Sequence, residues 1–106
     1  MKTKSISLPK LNGLTPTLES TTLKLMEEAG ELAEAIGKHR GLSGEEIYFN
    51  EQETVTSIVN ELLDVAQTAV SMMFVMEEQY QVNIEEAVEK HIGKLCRKGY
   101  LVKDGK

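Results

Sequence analysis

Residues 52–79 read QETVTSIVNELLDVAQTAVSMMFVMEEQ. Apolar side chains recur in this stretch at steps of three and four residues, which predicts one long α-helix. They cover an arc of roughly 200°, whereas the apolar stripe of an ordinary surface helix is about 100° wide. The arc consists of Val55, Ile58, Val59, Leu62, Leu63, Val65, Ala66, Ala69, Val70, Met72, Met73, Phe74 and Met76. One neighbouring helix cannot cover so wide an arc, so we expect this helix to be buried on several sides.

A predicted helix lies on each side of this stretch. The first spans about residues 16–38; Thr15 is its expected N-cap and Pro16 lies in its first turn. Its predicted inner face comprises Leu18, Thr22, Leu25, Met26, Ala29, Leu32, Ala33 and Ile36. The last helix starts at Asn83, which has Glu86 three positions on, and stops at Gly99. The sequence predicts an all-α protein, an antiparallel bundle of about three long helices completed by homo-oligomerisation to a dimer or tetramer.

The chain of 106 residues fits a single domain. We expect an N-terminal arm at residues 1–14, a helical domain at residues 15–100 and a short tail at residues 101–106. A loop through residues 44–50 separates the first two helices, and Tyr48 and Phe49 are expected to fold back on the core.

Charge and composition exclude several classes of protein. Twelve Lys and Arg stand against seventeen Asp and Glu, a net charge of −5 that argues against nonspecific nucleic-acid binding. The lone Cys96 excludes an intrachain disulfide and a multi-cysteine zinc site. The uncharged run at residues 65–76 is too short to span a bilayer, so no membrane partner is predicted. The start of the chain is followed by no apolar signal core, so the expected location is cytoplasmic.

Carboxylates cluster at two places along the predicted helices. Glu27, Glu28, Glu31 and Glu34 fall within eight residues of the first helix, with Glu28 at the flank of its apolar stripe. Glu61 and Asp64 lie one turn apart in a narrow polar seam of the long apolar helix. A carboxylate beside so much apolar surface is expensive to bury unless it is paired or bound to metal.

Two helices that each offer two carboxylates one turn apart can converge on one point. Hard oxygen ligands suit Mg²⁺, or alternatively Mn²⁺, so Glu28, Glu31, Glu61 and Asp64 are the candidate ligands. The alternative interpretation is a solvated acidic face with no ligand. A di-iron site is disfavoured because neither His39 nor His91 has a Glu three residues before it.

The segment Glu27-Glu28-Ala29-Gly30-Glu31, followed after a loop by Glu61-Leu62-Leu63-Asp64, resembles the EExxE and ExxD motifs of the MazG-like nucleotide pyrophosphohydrolases. That family belongs to the all-α NTP pyrophosphatase superfamily, and the resemblance covers about residues 16–100. It implies a Mg²⁺-dependent hydrolase that converts a nucleoside triphosphate into a nucleoside monophosphate and pyrophosphate, with a role in cleaning the nucleotide pool.

The resemblance also implies roles for individual residues. Glu28, Glu31, Glu61 and Asp64 would bind Mg²⁺ and form the catalytic centre. Lys94 and Arg97 would contact substrate phosphates, with Asn83 as a further substrate-binding residue, and Glu27 would support the ligands or act as a base. For Lys94 and Arg97 the alternative is that they only complement the dipole of the last helix.

Two other functions remain open at this point. The same chemistry could act on phosphoribosyl-ATP or dUTP, since no base-recognition signature is evident in the chain. A different class is a non-enzymatic helical interaction module, whose acidic seam binds a basic partner and whose wide apolar arc binds another helix.

Overall fold

The computed structural model describes residues 1–40 and 51–102. These residues form three α-helices and no strand: α1 at Leu18–His39, α2 at Glu51–Tyr80 and α3 at Ile84–Arg97. The all-α prediction is therefore confirmed for the described part of the chain. The predicted contact of Tyr48 and Phe49 with the core, and the last residues of the tail, lie outside the described residues.

Helix α1 begins two residues later than the sequence predicted. Its N-cap is Thr17, whose Oγ1 accepts a hydrogen bond from the backbone N–H of Ser20 at 3.0 Å. The Ser20 Oγ accepts in return from the Thr17 N–H at 2.8 Å. This reciprocal pair satisfies two backbone donors at once. Thr15 was wrong as the cap because Thr17 offers the same hydroxyl together with a partner three residues on.

The ends of α3 agree with the prediction. The Asn83 Oδ1 accepts from the backbone N–H of Glu86 at 3.0 Å, so Asn83 caps the helix. Gly99 has a φ of +78°, a left-handed conformation that glycine adopts without a side-chain clash. Backbone bonds from Gly99 to Cys96 and from Tyr100 to Leu95 then close a Schellman motif.

Helices α1 and α2 pack against each other in antiparallel fashion, and among the described residues theirs is the one extensive helix–helix contact. His39 Nδ1, at the end of α1, lies 3.2 Å from Thr54 Oγ1 at the start of α2. Helix α3 contains no buried residue. The bundle predicted from the sequence is thus, within this chain, a helical hairpin with α3 outside its core.

The most buried side chains of α1 and α2 are mostly polar, which corrects part of the predicted inner face of α1. Of that predicted face, Leu18, Leu25 and Leu32 are half-buried. Met26 is 72% exposed and Ile36 is also exposed, whereas Glu28, expected at the flank, is 5% exposed. On α2, most of the buried residues are likewise polar: Thr54, Thr68 and Ser71, with Val75. Periodicity identifies side chains that share a face. It does not reveal which face the neighbouring helix covers.

Much of the apolar surface of the hairpin consequently points outward. The large exposed side chains of α1 and α2 are Leu23, Met26, Ile36, Val55, Val59, Leu62, Leu63, Met73 and Tyr80. The radius of gyration is 17.3 Å, compared with about 13 Å for a compact domain of about 100 residues. The single chain does not bury its own apolar arc.

The N-terminal arm lies against α2. The Gln67 Nε2 donates a hydrogen bond to the Pro9 carbonyl oxygen at 2.8 Å, and Lys10 forms an ion pair with Glu78. These contacts join residues far apart in the sequence, and they bring the segment before α1 alongside the polar side of the hairpin.

Candidate metal centre

Glu28 is the most buried charged residue in the described chain. It lies in the middle of α1 on the side that faces α2, and its side chain is 7% exposed. One of its oxygens, Oε1, accepts from the Lys24 ammonium at 2.9 Å, one helical turn earlier. The other, Oε2, is buried and has no hydrogen-bond partner. A buried carboxylate oxygen without a partner costs folding free energy, and a ligand bound to that oxygen would remove the cost.

Glu31 and Glu61 complete a cluster across the two helices. Each of the residues Glu28, Glu31 and Glu61 offers a carboxylate oxygen, and these oxygens all lie within 4.8 Å of one another. The Glu61 Oε2 is a second buried oxygen with no hydrogen-bond partner. Glu31 is exposed. The cluster therefore has a buried floor and an open side.

The close approach of these carboxylates changes the pKa of Glu31 and of Lys24. The carboxylate of Glu28 raises the pKa of Glu31 above its ordinary value, with smaller contributions from burial and from Glu61. The hydrogen bond with Glu28 is the main reason that the pKa of Lys24 is raised. Like charges held this close favour a proton or a cation between them.

A hard divalent cation fits the donor set. Mg²⁺ and Mn²⁺ prefer carboxylate oxygens, and the cluster supplies three such side chains, two of them with an unpartnered oxygen. Lys24 compensates only one oxygen of Glu28, so negative charge remains for a cation to neutralise.

Asp64, the fourth predicted ligand, lies outside the group of three. It is exposed, and with Glu28 it lines a neighbouring cavity between the arm, α1 and α2. The backbone carbonyl of Asp64 accepts from the Thr68 Oγ1 at 2.9 Å, one turn later. Three of the four predicted ligands are thus brought together, and the fourth borders the adjoining cavity.

The predicted residues of α3 are not brought to the cluster by any contact among the described residues. Lys94 and Arg97 are both exposed in the last turn of α3. Asn83 uses its side chain to cap that helix. Glu27 is exposed and lies 3.8 Å from Lys24. The roles predicted for these four residues in substrate binding or catalysis stay predictions.

Sequence reasoning missed two parts of this region. Ser71 of α2 had no predicted role, yet its Oγ is buried without a hydrogen-bond partner. The segment before α1 had no predicted role in the site, yet Leu11, Leu14, Thr15 and Pro16 line the cavity. The spacing could have indicated Ser71, because it lies seven residues after Asp64 and therefore on the same face of the helix. Nothing in the local sequence of the arm indicated its contact with α2.

The described residues form an all-helical structure with an acidic cluster between two antiparallel helices, and carboxylates so arranged are a donor set that suits a hard cation. Comparison with known families specifies the class of protein: residues 16–99 match the MazG nucleotide pyrophosphohydrolase domain. The chain belongs to that family. No curated protein and no solved structure matches the chain.

Proposed function

We propose that this protein is a Mg²⁺-dependent nucleoside triphosphate pyrophosphohydrolase, which converts an NTP or dNTP into the monophosphate and pyrophosphate. The observation that carries the proposal is the pair of buried, unpartnered oxygens, Glu28 Oε2 and Glu61 Oε2, which belong to neighbouring helices and to a cluster completed by Glu31. Membership of the MazG family supports the reaction class.

In this proposal Glu28, Glu31 and Glu61 hold the cation. Asp64, which borders the adjoining cavity, remains the proposed fourth ligand and catalytic residue. When bound, Mg²⁺ neutralises the carboxylates and offers positive charge to phosphate oxygens; Mn²⁺ has the same preference for oxygen. Lys24 fixes the Glu28 carboxylate through a hydrogen bond of 2.9 Å. Glu27 is the proposed residue that supports the ligands or takes a proton, and its exposure makes it accessible to solvent.

Charge explains why a cation is needed for this substrate class. A nucleoside triphosphate is a polyanion, and the chain carries a net charge of −5. The positive charge of the cation, and of Lys94 and Arg97 as proposed phosphate contacts, offsets the repulsion between the two. The net negative charge also supports the proposal that nucleic acid is not a partner.

The exposed apolar surface supports a homodimer or homotetramer. We also propose that the protein acts in the cytoplasm. By length and composition alone, α2 could also cross a membrane, and most of its apolar segment is not buried within the chain. We favour a second copy of the chain because the other side of α2 carries Glu61 and Asp64, and such charges are rare in a membrane span.

Two alternatives keep specific support. Phosphoribosyl-ATP or dUTP would use the same carboxylates, and only the nucleoside part of the substrate would differ. An interaction module without activity would use the outward apolar face of α1 and α2, where Leu23 is 72% and Leu62 is 52% exposed. The unpartnered carboxylate oxygens favour the enzyme, because they are buried, and a small cation reaches a buried oxygen more readily than a basic side chain of a partner protein does.

The experiment is a screen of canonical and modified NTPs, phosphoribosyl-ATP and dUTP, with pyrophosphate release as the readout and with Mg²⁺ present or removed by a chelator. We expect release from at least one substrate that depends on Mg²⁺. Absence of release from every substrate would support the interaction module, and release that survives chelation would contradict the metal centre.

A further inference from the structure

Lys24 contacts the carboxylate cluster from the preceding turn of α1. Its ammonium lies 2.9 Å from the Glu28 Oε1 and 3.8 Å from the Glu27 Oε1. The side chain of Lys24 is 54% exposed, whereas that of Glu28 is 7% exposed. The ion pair thus joins a solvent-accessible ammonium group to the most buried carboxylate of the cluster.

The two oxygens of the Glu28 carboxylate differ in their surroundings. Oε1 accepts a hydrogen bond from Lys24, and Oε2 is buried with no hydrogen-bond partner. A cation that bound both oxygens would have to displace the ammonium group or lie beside its like charge, which is unfavourable. Oε2 is therefore the oxygen that Glu28 has free for a cation, and this residue offers one ligand atom rather than two.

The number of oxygens that a site offers determines which divalent cation it prefers. Mg²⁺ requires an octahedral set of oxygens at about 2.0–2.1 Å and usually keeps several water ligands, so single carboxylate oxygens suit it. Ca²⁺ binds about six to eight oxygens at longer distances, and bidentate carboxylates help to supply them. The cluster contains three carboxylates, and the ion pair with Lys24 occupies one of their oxygens.

We infer that Lys24 is a positioning residue that makes the metal centre prefer Mg²⁺ to Ca²⁺, because it restricts Glu28 to one ligand oxygen. The inference rests on the proposed function, in which Glu28, Glu31 and Glu61 hold the cation. The charge of the ammonium group weakens the binding of both cations alike, since each carries two positive charges. The loss of the second Glu28 oxygen, in contrast, affects Ca²⁺ more than Mg²⁺.

The test is displacement of Mn²⁺ from the nucleotide-free protein by Mg²⁺ or Ca²⁺, with free Mn²⁺ measured by electron paramagnetic resonance. Lys24→Met removes the charge and the hydrogen-bond donor of the side chain. Both cations should bind this variant more tightly than wild type, and Ca²⁺ should gain more. Exchange of one water ligand for the released carboxylate oxygen is comparable to the gain of one hydrogen bond, so the ratio of the two dissociation constants should shift toward Ca²⁺ by about three- to tenfold.

Three further variants serve as controls. Lys24→Arg retains the charge and the donors, so it should keep the wild-type ratio. Lys38→Met is the matched control, since Lys38 pairs with Glu34 four residues before it and outside the cluster. Lys24→Met leaves Glu28 buried without its ion pair, so thermal unfolding must show that the variant is folded. Lys24→Gln is the second variant if it is not, and its neutral amide should shift the ratio in the same direction by a smaller factor.

An unchanged ratio in the folded Lys24 variants would overturn the inference even if both cations bound more tightly, because the loss of charge alone would explain that gain. An equal shift in Lys38→Met would also overturn it. If wild type hydrolyses a triphosphate with Mg²⁺ and the ratio is unchanged, only the role of Lys24 is wrong. If the ratio shifts as expected but no triphosphate is hydrolysed, the proposed function fails and the role of Lys24 stands. Absence of Mn²⁺ binding by wild type would contradict both.

Discussion

Glu28 combines a charge with almost complete burial, and this combination determines how it should respond to substitution. Its carboxylate is held by Lys24 on one oxygen and is unpartnered on the other. Glu28→Gln keeps the shape of the side chain and removes one negative charge from the cluster. The repulsion with Glu31 and Glu61 is then relieved while the hydrogen bond with Lys24 becomes weaker, so the metal-free variant should differ little in stability from wild type.

With Mg²⁺ bound, wild type should be more stable than Glu28→Gln. A ligand at one hundred times its Kd stabilises a folded protein by about 2.7 kcal/mol, and we expect this gain in wild type and its loss in Glu28→Gln. Thermal unfolding with and without Mg²⁺ measures both effects. Glu34→Gln is the matched control, because Glu34 also pairs with a lysine four residues away but is exposed and outside the cluster. A full Mg²⁺-dependent gain in Glu28→Gln would contradict the proposed ligand.

Glu31 should make the stability of the metal-free protein depend on pH. The Glu28 carboxylate raises the pKa of Glu31 above its ordinary value of 4.5, so folding favours the protonated form. This contribution to stability is fully present below pH 4.5 and is lost as the pH rises through the raised pKa. Glu31→Gln should then unfold at a higher temperature than wild type near neutral pH, and the difference should shrink toward zero in acid. A difference that does not change with pH would contradict this origin.

At the scale of the helices, the proposed phosphate contacts of α3 are the prediction that most needs a direct test. Arg97→Ala should lower kcat/KM by roughly ten- to a hundredfold if Arg97 binds phosphate, because a hydrogen bond to a charged group contributes about 1.5–3 kcal/mol. If Arg97 only complements the helix dipole, the change should cost about 0.3–1 kcal/mol of stability. Kinetics and thermal unfolding of the same variant decide between the two.

Lys90→Ala is the control for Arg97→Ala, since it also removes a basic residue from α3. Lys90 pairs with Glu86 and has no proposed role in phosphate binding. We expect its kcat/KM to match that of wild type. Unchanged kinetics in Arg97→Ala as well would remove α3 from the substrate site and leave only the carboxylates.

The bounds of the helices were largely predictable because their signals are local. Asn83 as a cap and Gly99 as a stop depend on hydrogen bonds within a few residues. The ion pair of Lys24 with Glu28 is likewise local, since the two residues are one helical turn apart. The orientation of α1 against α2 was not predictable in this way, because it depends on which face of each helix the other covers. The cavity was not predictable from local signals either, because it depends on the contact between Gln67 and Pro9, which are far apart in the sequence.

At the scale of the whole molecule, the outward apolar face of the hairpin predicts self-association. Burying a leucine contributes about 1.5–3 kcal/mol, and several large apolar side chains of α1 and α2 are exposed in the single chain. We expect wild type to sediment as a dimer or larger species at micromolar concentration without detergent. A stable, well-folded monomer would contradict the prediction, and a requirement for detergent would favour a membrane.

A single charge placed on this face should dissociate the assembly. Leu62 is 52% exposed and lies outside the buried α1–α2 contact, so Leu62→Asp should give smaller species while the helical circular dichroism is retained. Gln79→Glu adds the same charge near the end of α2 and should sediment as wild type does. Dissociation by both variants would indicate a general effect of charge rather than a specific interface.

In the proposed function, the cluster of Glu28, Glu31 and Glu61 binds the divalent cation used in pyrophosphohydrolysis. The most direct test is Mg²⁺-dependent release of pyrophosphate by wild type, by Glu61→Gln and by Glu51→Gln, an exposed glutamate at the start of the same helix. We predict that Glu61→Gln loses turnover while its helical content stays near that of wild type, and that Glu51→Gln remains active. Wild-type turnover in Glu61→Gln would contradict the claim.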